Sequence, residues 1–269
     1  MQKEGRPVGE KSRRSPFSVL VTAGGTIEDI DSVRGITNHA SGRLGSLIAD
    51  AFLQSGWDVT FLCGENSLRP HLEPQRLVAI RNTAQLVGRL EELLRETPFD
   101  CVVHSMAVSD FTPQATLTPD DLAHYIEREL RGGDRSKDSI ARAVQAAILE
   151  SGRRAAQSKI SSKSSQLMLV LGQTPKAIRL IKAIQPGALL VGFKLLSGAG
   201  EPELLEAGQD LMRQSGCDLV LANDLSGISG DSHRAFLMDK GSIICRAQTK
   251  TEIAGMILGQ VAERVGKAK

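Results

Sequence analysis

Aromatic side chains are scarce in this chain, with one Trp, one Tyr and seven Phe making 3% of its 269 residues. That is too few rings to build the stacking platforms on which single-stranded nucleic acids lie. Basic and acidic residues nearly cancel, 33 against 31, so the chain carries no electrostatic footprint for a polyanion. No apolar run approaches the roughly 18 residues of a membrane-spanning helix. The first 16 residues lack the apolar centre of a secretory signal and are expected to form a disordered tail. Cysteines are few and far apart: Cys63, Cys101, Cys217 and Cys245 lie in or beside apolar runs. That pattern fits buried thiols in a reducing cytoplasm better than disulfides or a zinc site. The common nucleotide signatures are missing as well. No G-x-x-x-x-G-K-[ST] occurs, and of the dinucleotide fingerprint only Gly42-x-x-Gly45 survives. The single tyrosine, Tyr125, is followed four places on by Glu129, which excludes a Tyr-x-x-x-Lys catalytic pair.

What is present is a core-forming α/β pattern. Hydrophobic residues make up 41% of the chain, enough for one large domain. Strands are expected at Phe17–Ala23, Asp58–Cys63, Arg76–Ile80, Asp100–Met106, Gln166–Leu171, Ala188–Phe193 and Asp218–Ala222. Helices are expected at Ser41–Gln54, Thr83–Arg95, from Thr174-Pro175, near Glu201–Gln214 and from Thr251, with a hairpin through Phe236–Cys245. Strands alternating with helices imply a mainly parallel, Rossmann-like sheet with helices on both faces. We expect a single domain over residues 17–269.

Ligands of such sheets bind beyond the carboxyl ends of the strands. The first such end is the richest. Phe17–Val21 runs into Gly24-Gly25-Thr26, then a polar loop with Asp29, Asp31 and Arg34, then Asn38-His39-Ala40-Ser41-Gly42 at a helix start. Glycines let main-chain N–H groups approach an anion, and a helix N-terminus favours negative charge. Asn38 and Arg34 flank this cradle with side chains suited to a carboxylate or phosphate. Three further strand ends carry polar residues: Asp110 ahead of Pro113, Phe193-Lys194, and Asn223-Asp224. Singly, each has a plain alternative as a turn former, core residue or cap. Together they read as one convergent site.

Between about 112 and 165 the composition turns charged and glycine-rich, ending in Ser158-Lys159-Ile160-Ser161-Ser162-Lys163. Alanine and isoleucine over Ser139–Leu149 suit a short helix. The rest reads as a mobile flap or as a solvated loop. A lysine in such a flap would neutralise a polyphosphate on closing.

Four blocks in order, TAGGTIEDIDSVRGITNHASGRLG, AVSDFTP, KISSKSSQLMLVLGQTPKAI, and GFKLL with LANDLSGIS, resemble the phosphopantothenoylcysteine synthetase (phosphopantothenate–cysteine ligase) family. The GFKLL variant resembles its free-standing bacterial form, without a fused decarboxylase domain. The resemblance implies a cytoplasmic homodimer of coenzyme A biosynthesis acting in two steps. The carboxylate of 4′-phosphopantothenate attacks the α-phosphate of CTP, or ATP, with Mg2+, giving an acyl-nucleotide; L-cysteine then forms the amide. It implies that Asn38 orients the acyl intermediate and that Lys159 closes over the nucleotide. Gly24, Gly25, Thr26, Arg34, Ser41 and Gly42 would hold the substrate, and Asp110, Pro175, Lys176, Ala177, Ile178 and Phe193 would contact the nucleotide. No metal-ligand set is legible.

Departures are informative. Ala40 stands where the family often has serine, and only Arg213 precedes the Ala222-Asn223-Asp224 segment where fused enzymes place two lysines. The choice of CTP over ATP is therefore open. The competing reading is a nucleotide- or phosphometabolite-binding module of the same fold without catalysis; the presence of Asn38 and Lys159 favours the enzyme. If Lys159 neutralises phosphate charge, Lys159→Gln is expected to cut acyl-nucleotide formation on the order of 100-fold with little change in stability. Pyrophosphate release at the wild-type rate would end that assignment.

Overall fold

The computed structural model describes residues 17–155 and 165–268. Lys159 lies outside the described residues. The first strand, β1 (Ser18–Ala23), reads as a continuous apolar run because both of its faces are covered. Val19 and Val21 point to one side, against Ile48 and Phe52 of α1 (Arg43–Gln54) and Ile253 and Ile257 of α7 (Lys250–Ala268). Leu20 points to the other, against Leu86 and Leu90 of α2 (Thr83–Glu96), Ile181 of α5 (Ile178–Ile184) and Leu204 of α6 (Glu201–Ser215). Each fully buried Leu or Ile of this kind stabilises the fold by about 1.5–3 kcal/mol.

Beside β1 lie β4 (Asp58–Gly64) and β5 (Arg76–Ile80) on one flank. On the other lie β6 (Cys101–His104), β9 (Leu189–Leu196) and β10 (Leu219–Ser229), all parallel. β11 (Ser232–Asp239) and β12 (Ser242–Thr249) complete the eight-stranded sheet as an antiparallel meander. The expected hairpin is thus the outer part of a longer unit, because β10 does not stop at Ala222. The fold is an α/β, Rossmann-like sheet with helices on both faces. From β1 the chain builds outward to β5, returns to the centre, and builds the other way through β6. The switch between β1 and β6 opens the crevice where such sheets take ligands.

Two parts depart from the expected loops. The polar loop after Thr26 is a small hairpin of β2 (Ile27–Asp29) and β3 (Gly35–Thr37). The charged excursion contains β7 (Phe111–Leu117) paired antiparallel with β8 (Met168–Gln173), and two helices, α3 (Pro119–Glu129) and α4 (Lys137–Ala155). Composition hid α3, whose start is made by a Thr118–Asp121 capping box with Pro119 in the first turn. A small separate core of Ala115, Leu117, Tyr125, Ala143 and Ala147 joins the helices to the strands. The helix expected from Thr174-Pro175 begins only at Ile178.

The cysteines sit as expected of free thiols: Cys63, Cys101 and Cys217 are buried, and Cys245 is partly so. Burial raises the thiols of Cys63 and Cys101, and raises Cys217 to about 12, so none is a ready nucleophile. No helix among the described residues is long and apolar enough to cross a membrane.

Two histidines are buried in neutral form. His104 ends β6 with Nδ1 3.0 Å from the Thr22 hydroxyl, and burial lowers its pKa to about 4. His233 is lowered to about 4 by burial and the nearby Lys250 ammonium, and neither of its ring nitrogens has a partner among the described residues. An unfolded histidine takes its proton near the ordinary 6.5, the folded His104 only near 4. The stability this neutrality confers is therefore complete above pH about 6.5 and is lost as pH falls toward 4, by on the order of 3 kcal/mol for His104. Urea midpoints measured from pH about 7 down to about 4.5 are expected to fall, and to fall less steeply for His104→Gln. Parallel slopes for the two proteins would remove His104 as the source.

Candidate functional site

The switch point is held by main chain. β1 and β6 continue past their last full ladder pair through a parallel bridge between Gly25 and Ala107. Ala107 N–H donates to Gly24 O at 2.7 Å, Thr26 N–H donates to Ala107 O at 3.2 Å, and the Ser105 hydroxyl donates to Thr22 O at 2.6 Å. Gly24 needs to be glycine on two counts. Its φ is +82°, and a Cβ there would fall on the hydroxyl of Ser67.

Thr26 lies at 0% exposure just beyond the bridge and is tied on three sides. Its hydroxyl accepts from Ser109 N–H at 3.0 Å and lies 3.4 Å from Thr83 Oγ1, while its carbonyl accepts from the Thr37 hydroxyl at 2.9 Å. The buried Glu28 carboxylate in turn accepts from Thr83 N–H at 2.8 Å and its hydroxyl at 2.6 Å. These buried bonds fix the β2–β3 hairpin over the start of α2 and carry Asn38 to the rim of the crevice. Thr26 is thus a structural pin of the cradle rather than an open donor.

Gly42, with φ +77°, is the N-cap of α1, so the helix begins at Arg43 and not at Ser41. Gly42 offers no side-chain cap and the first turn holds no acid. Arg43 N–H makes only a long bond to the Ser41 hydroxyl at 3.4 Å, which leaves the next N–H groups, of Leu44 and Gly45, for an acceptor from outside. Gly45 lets α1 approach the sheet closely, since a Cβ there would stand 2.5 Å from Ala23 Cβ. Asn38 is exposed, with its amide nitrogen 3.5 Å from Ala107 O, and Asn38 O accepts from Ala40 N–H at 2.8 Å. Gly24, Gly25, Thr26, Asn38, Ser41 and Gly42 are therefore gathered at one place.

Arg34 is committed differently from the sequence expectation. Its Nη2 and Nε donate to the buried Asp31 carboxylate at 2.6 and 3.1 Å, and Asp31 also accepts from Val33 and Arg34 N–H. The pair stiffens the hairpin turn, so anion binding by Arg34 would have to compete with Asp31. Arg81 similarly bridges Asp29 and Glu65, which hold its guanidinium pKa above the ordinary range.

Across the crevice, Asp110 is exposed and paired with Lys176 Nζ at 2.6 Å, and its carbonyl accepts from Thr174 N–H at 2.9 Å. Pro175 and Lys176 form the turn before α5, and Ala177 is its buried N-cap. A helix of seven residues gives this turn little dipole of its own. Phe193 is not at a strand end. It lies inside β9, opposite Leu221, and packs on the core beside α1 and α7. Asn223 and Asp224 are likewise strand residues, paired with Leu195 and Leu196. The Asn223 side chain shares the sheet face of Phe193, 4% exposed and without a side-chain partner among the described residues. Asp224 is held ionised by the Ser226 hydroxyl and the Ala199 N–H. No group of three or more His, Cys, Asp or Glu able to hold a metal occurs among the described residues.

Ser67, Thr83, Glu28 and His104 were not singled out from sequence. For Ser67 a signal existed: it lies in the turn after β4, Gly64-Glu65-Asn66-Ser67, beyond another carboxyl strand end.

The family is decided by a match over most of the chain. The pattern of the DNA/pantothenate metabolism flavoprotein C-terminal domain matches residues 15–119 and 137–265. The chain belongs to this family. It is 31% identical over 223 residues to the coenzyme A biosynthesis bifunctional protein CoaBC of Thermococcus kodakarensis, covering 82% of this chain and 45% of that one. Against CoaBC of Methanocaldococcus jannaschii it is 24% identical, covering 96% of this chain and 53% of that one. The chain thus spans about half the length of these curated relatives. Among solved structures, the DNA/pantothenate metabolism flavoprotein from Streptococcus pneumoniae superposes with TM-score 0.77 at 33% identity, covering 92% of this chain and 99% of that one. A Cab2 mutant, H337A, in complex with phosphopantothenate-cysteine superposes with TM-score 0.66 at 19% identity, covering 93% and 87%. At that identity the second match speaks for the fold alone.

Proposed function

We propose that this chain is a phosphopantothenate–cysteine ligase. The observation that carries the reading is the uncapped start of α1 set against the Gly24-Gly25 turn at the β1/β6 switch point, with Asn38 on its rim. The likeness to CoaBC proteins supports it.

In this reading 4′-phosphopantothenate and a nucleoside triphosphate, CTP or ATP, meet at the carboxyl edge of the sheet. The substrate carboxylate displaces pyrophosphate from the α-phosphate. The reaction needs alignment and charge neutralisation and no protein nucleophile, which suits an edge whose nearest thiol, Cys63 at the end of β4, is buried and raised. Free N–H groups of α1 take a phosphate, and Lys159 closes on the nucleotide. Phe193 and Asn223 form a wall for the nucleoside on the α1 side. Asn38 then donates to the acyl oxygen while the amine of L-cysteine attacks the acyl carbon and the nucleotide leaves. Magnesium would be held mainly by the phosphates of the triphosphate and would offset their charge. The acids near the crevice fit that arrangement, since Asp29, Asp31 and Asp110 already pair with Arg81, Arg34 and Lys176. We further propose a cytoplasmic homodimer.

The deciding assay is pyrophosphate release with phosphopantothenate and cysteine, run in parallel with CTP and ATP. Release that depends on phosphopantothenate is expected with at least one nucleotide. Nucleotide binding without release would leave a non-catalytic module.

A further prediction concerns Asn38. Its neutral amide donates without adding charge beside an intermediate rich in phosphate oxygens, whereas aspartate of the same shape only accepts and adds a negative charge. Gly42 is the cap of α1, so loss of Asn38 removes no helix cap. Asn38→Asp is expected to fold normally, to make acyl-nucleotide, and to stall before amide formation. Mass spectrometry of the quenched reaction should then show trapped intermediate; ordinary product with none trapped would remove Asn38 from the second step.

A further inference from the structure

Ser67 occupies a position that the chemistry above does not use. It is half-buried in the turn after β4, and its side chain stands over both positive-φ glycines of the cradle. A Cβ on Gly24 would coincide with its hydroxyl, and a Cβ on Gly42 would lie 2.9 Å from its own Cβ. Its hydroxyl reaches Ala23 O at 3.4 Å, a bond at the limit of hydrogen-bond length. Ser67 therefore acts chiefly as a spacer between the end of β1 and the start of α1.

The turn that carries it is fixed independently. Ser67 N–H donates to Gly64 O and Leu68 N–H to Ser41 O, both at 2.9 Å. Four positions on, the buried Asp50 carboxylate of α1 accepts from His71 and Leu72 N–H at 3.0 and 2.9 Å. Glu65 is paired with Arg81. A larger side chain at position 67 would find its own turn anchored at both ends, so the displacement would fall on the two glycines.

We propose that Ser67 is a positioning residue that sets the distance between the Gly24-Gly25 turn and the α1 N-terminus, and so selects the size of phosphate group the cradle accepts. The inference rests on the cradle being the phosphate site proposed above. It is tested by titrating CTP, ATP and 4′-phosphopantothenate separately into wild type, Ser67→Ala and Ser67→Val, with thermal melts of each. Ser67→Ala keeps most of the volume and is expected to bind within about 3-fold of wild type, since only a marginal hydrogen bond is lost. Ser67→Val puts a methyl in place of the hydroxyl and adds a second branch beside Gly24 and Gly42. It is expected to weaken the ligand held at the cradle by about 10-fold or more, in line with the penalty for misplacing a binding group by an ångström. The other ligands should be spared and the melt retained. Turnover should show the same effect as a raised KM with kcat little changed. Wild-type affinity for all three ligands in a folded Ser67→Val overturns the inference and leaves the ligase reading standing. Equal weakening of all three with a lowered melt also overturns it, as a general packing defect. A wild-type protein that binds none of the three removes the proposed ligand, and the inference falls with it.

Discussion

The site depends on a short stretch of main chain at the centre of the sheet, where β1 and β6 stay paired through Gly25 and Ala107 after their side chains have left the core. A parallel pair that ended at Thr22 and His104 would splay, because the two strands feed connections running to opposite flanks of the sheet. The bonds from Ala107 to Gly24 and from Thr26 to Ala107 prevent this. They lie beside the buried Thr26, Glu28 and Thr83 group, where low polarity strengthens each bond and makes its loss costly. The crevice is therefore rigid at its apex. The hairpin tip at Arg34 and the β7–β8 pair hang from that apex.

Rigidity here is made by small residues. Gly24 and Gly42 take left-handed backbone, Gly45 allows α1 onto Ala23, and a Cβ on Gly64 would meet Gly25 O. Four glycines with separate reasons converge on one volume, which explains why no dinucleotide fingerprint is needed. The spacing G-x-G-x-x-G serves a helix that begins directly after the first strand. Here a hairpin intervenes between β1 and α1, so the glycines that face one another in space are far apart in sequence.

This explains what was legible in the chain and what was not. The parallel core could be read because strands buried on both faces, such as Val19–Val21 and Leu219–Ala222, are unbroken apolar runs, and because α1, α2 and α6 carry one-sided apolar stripes. The cradle could be read because glycines after a strand have few other uses. The β2–β3 hairpin was hidden, since strands of three residues with polar faces leave no periodic signal. α3 was hidden because it buries only Tyr125, and Asp120, Asp121, Glu127, Arg128 and Glu129 crowd its two ends. Side-chain commitments were the least accessible. The sequence offers Arg34 and Asp110 as open charges, and only geometry shows that Asp31 and Lys176 are already beside them.

Those commitments bear on how such a site would handle phosphate chemistry. Exposed ion pairs are worth little to stability, typically below about 1 kcal/mol, so Lys176 and Asp110 hold one another cheaply. An arriving phosphate can take the lysine at small cost, provided that the aspartate stays solvated, and the exposed Asp110 does. The Arg34–Asp31 pair is different, because Asp31 has 0% side-chain exposure and accepts two main-chain N–H bonds besides. Removing its arginine would strand a buried carboxylate, which is a far larger penalty. The two cations, Lys176 and Arg34, thus separate by the burial of their partners. Lys176 is available to a ligand, whereas Arg34 is part of the frame that holds Asn38 in place.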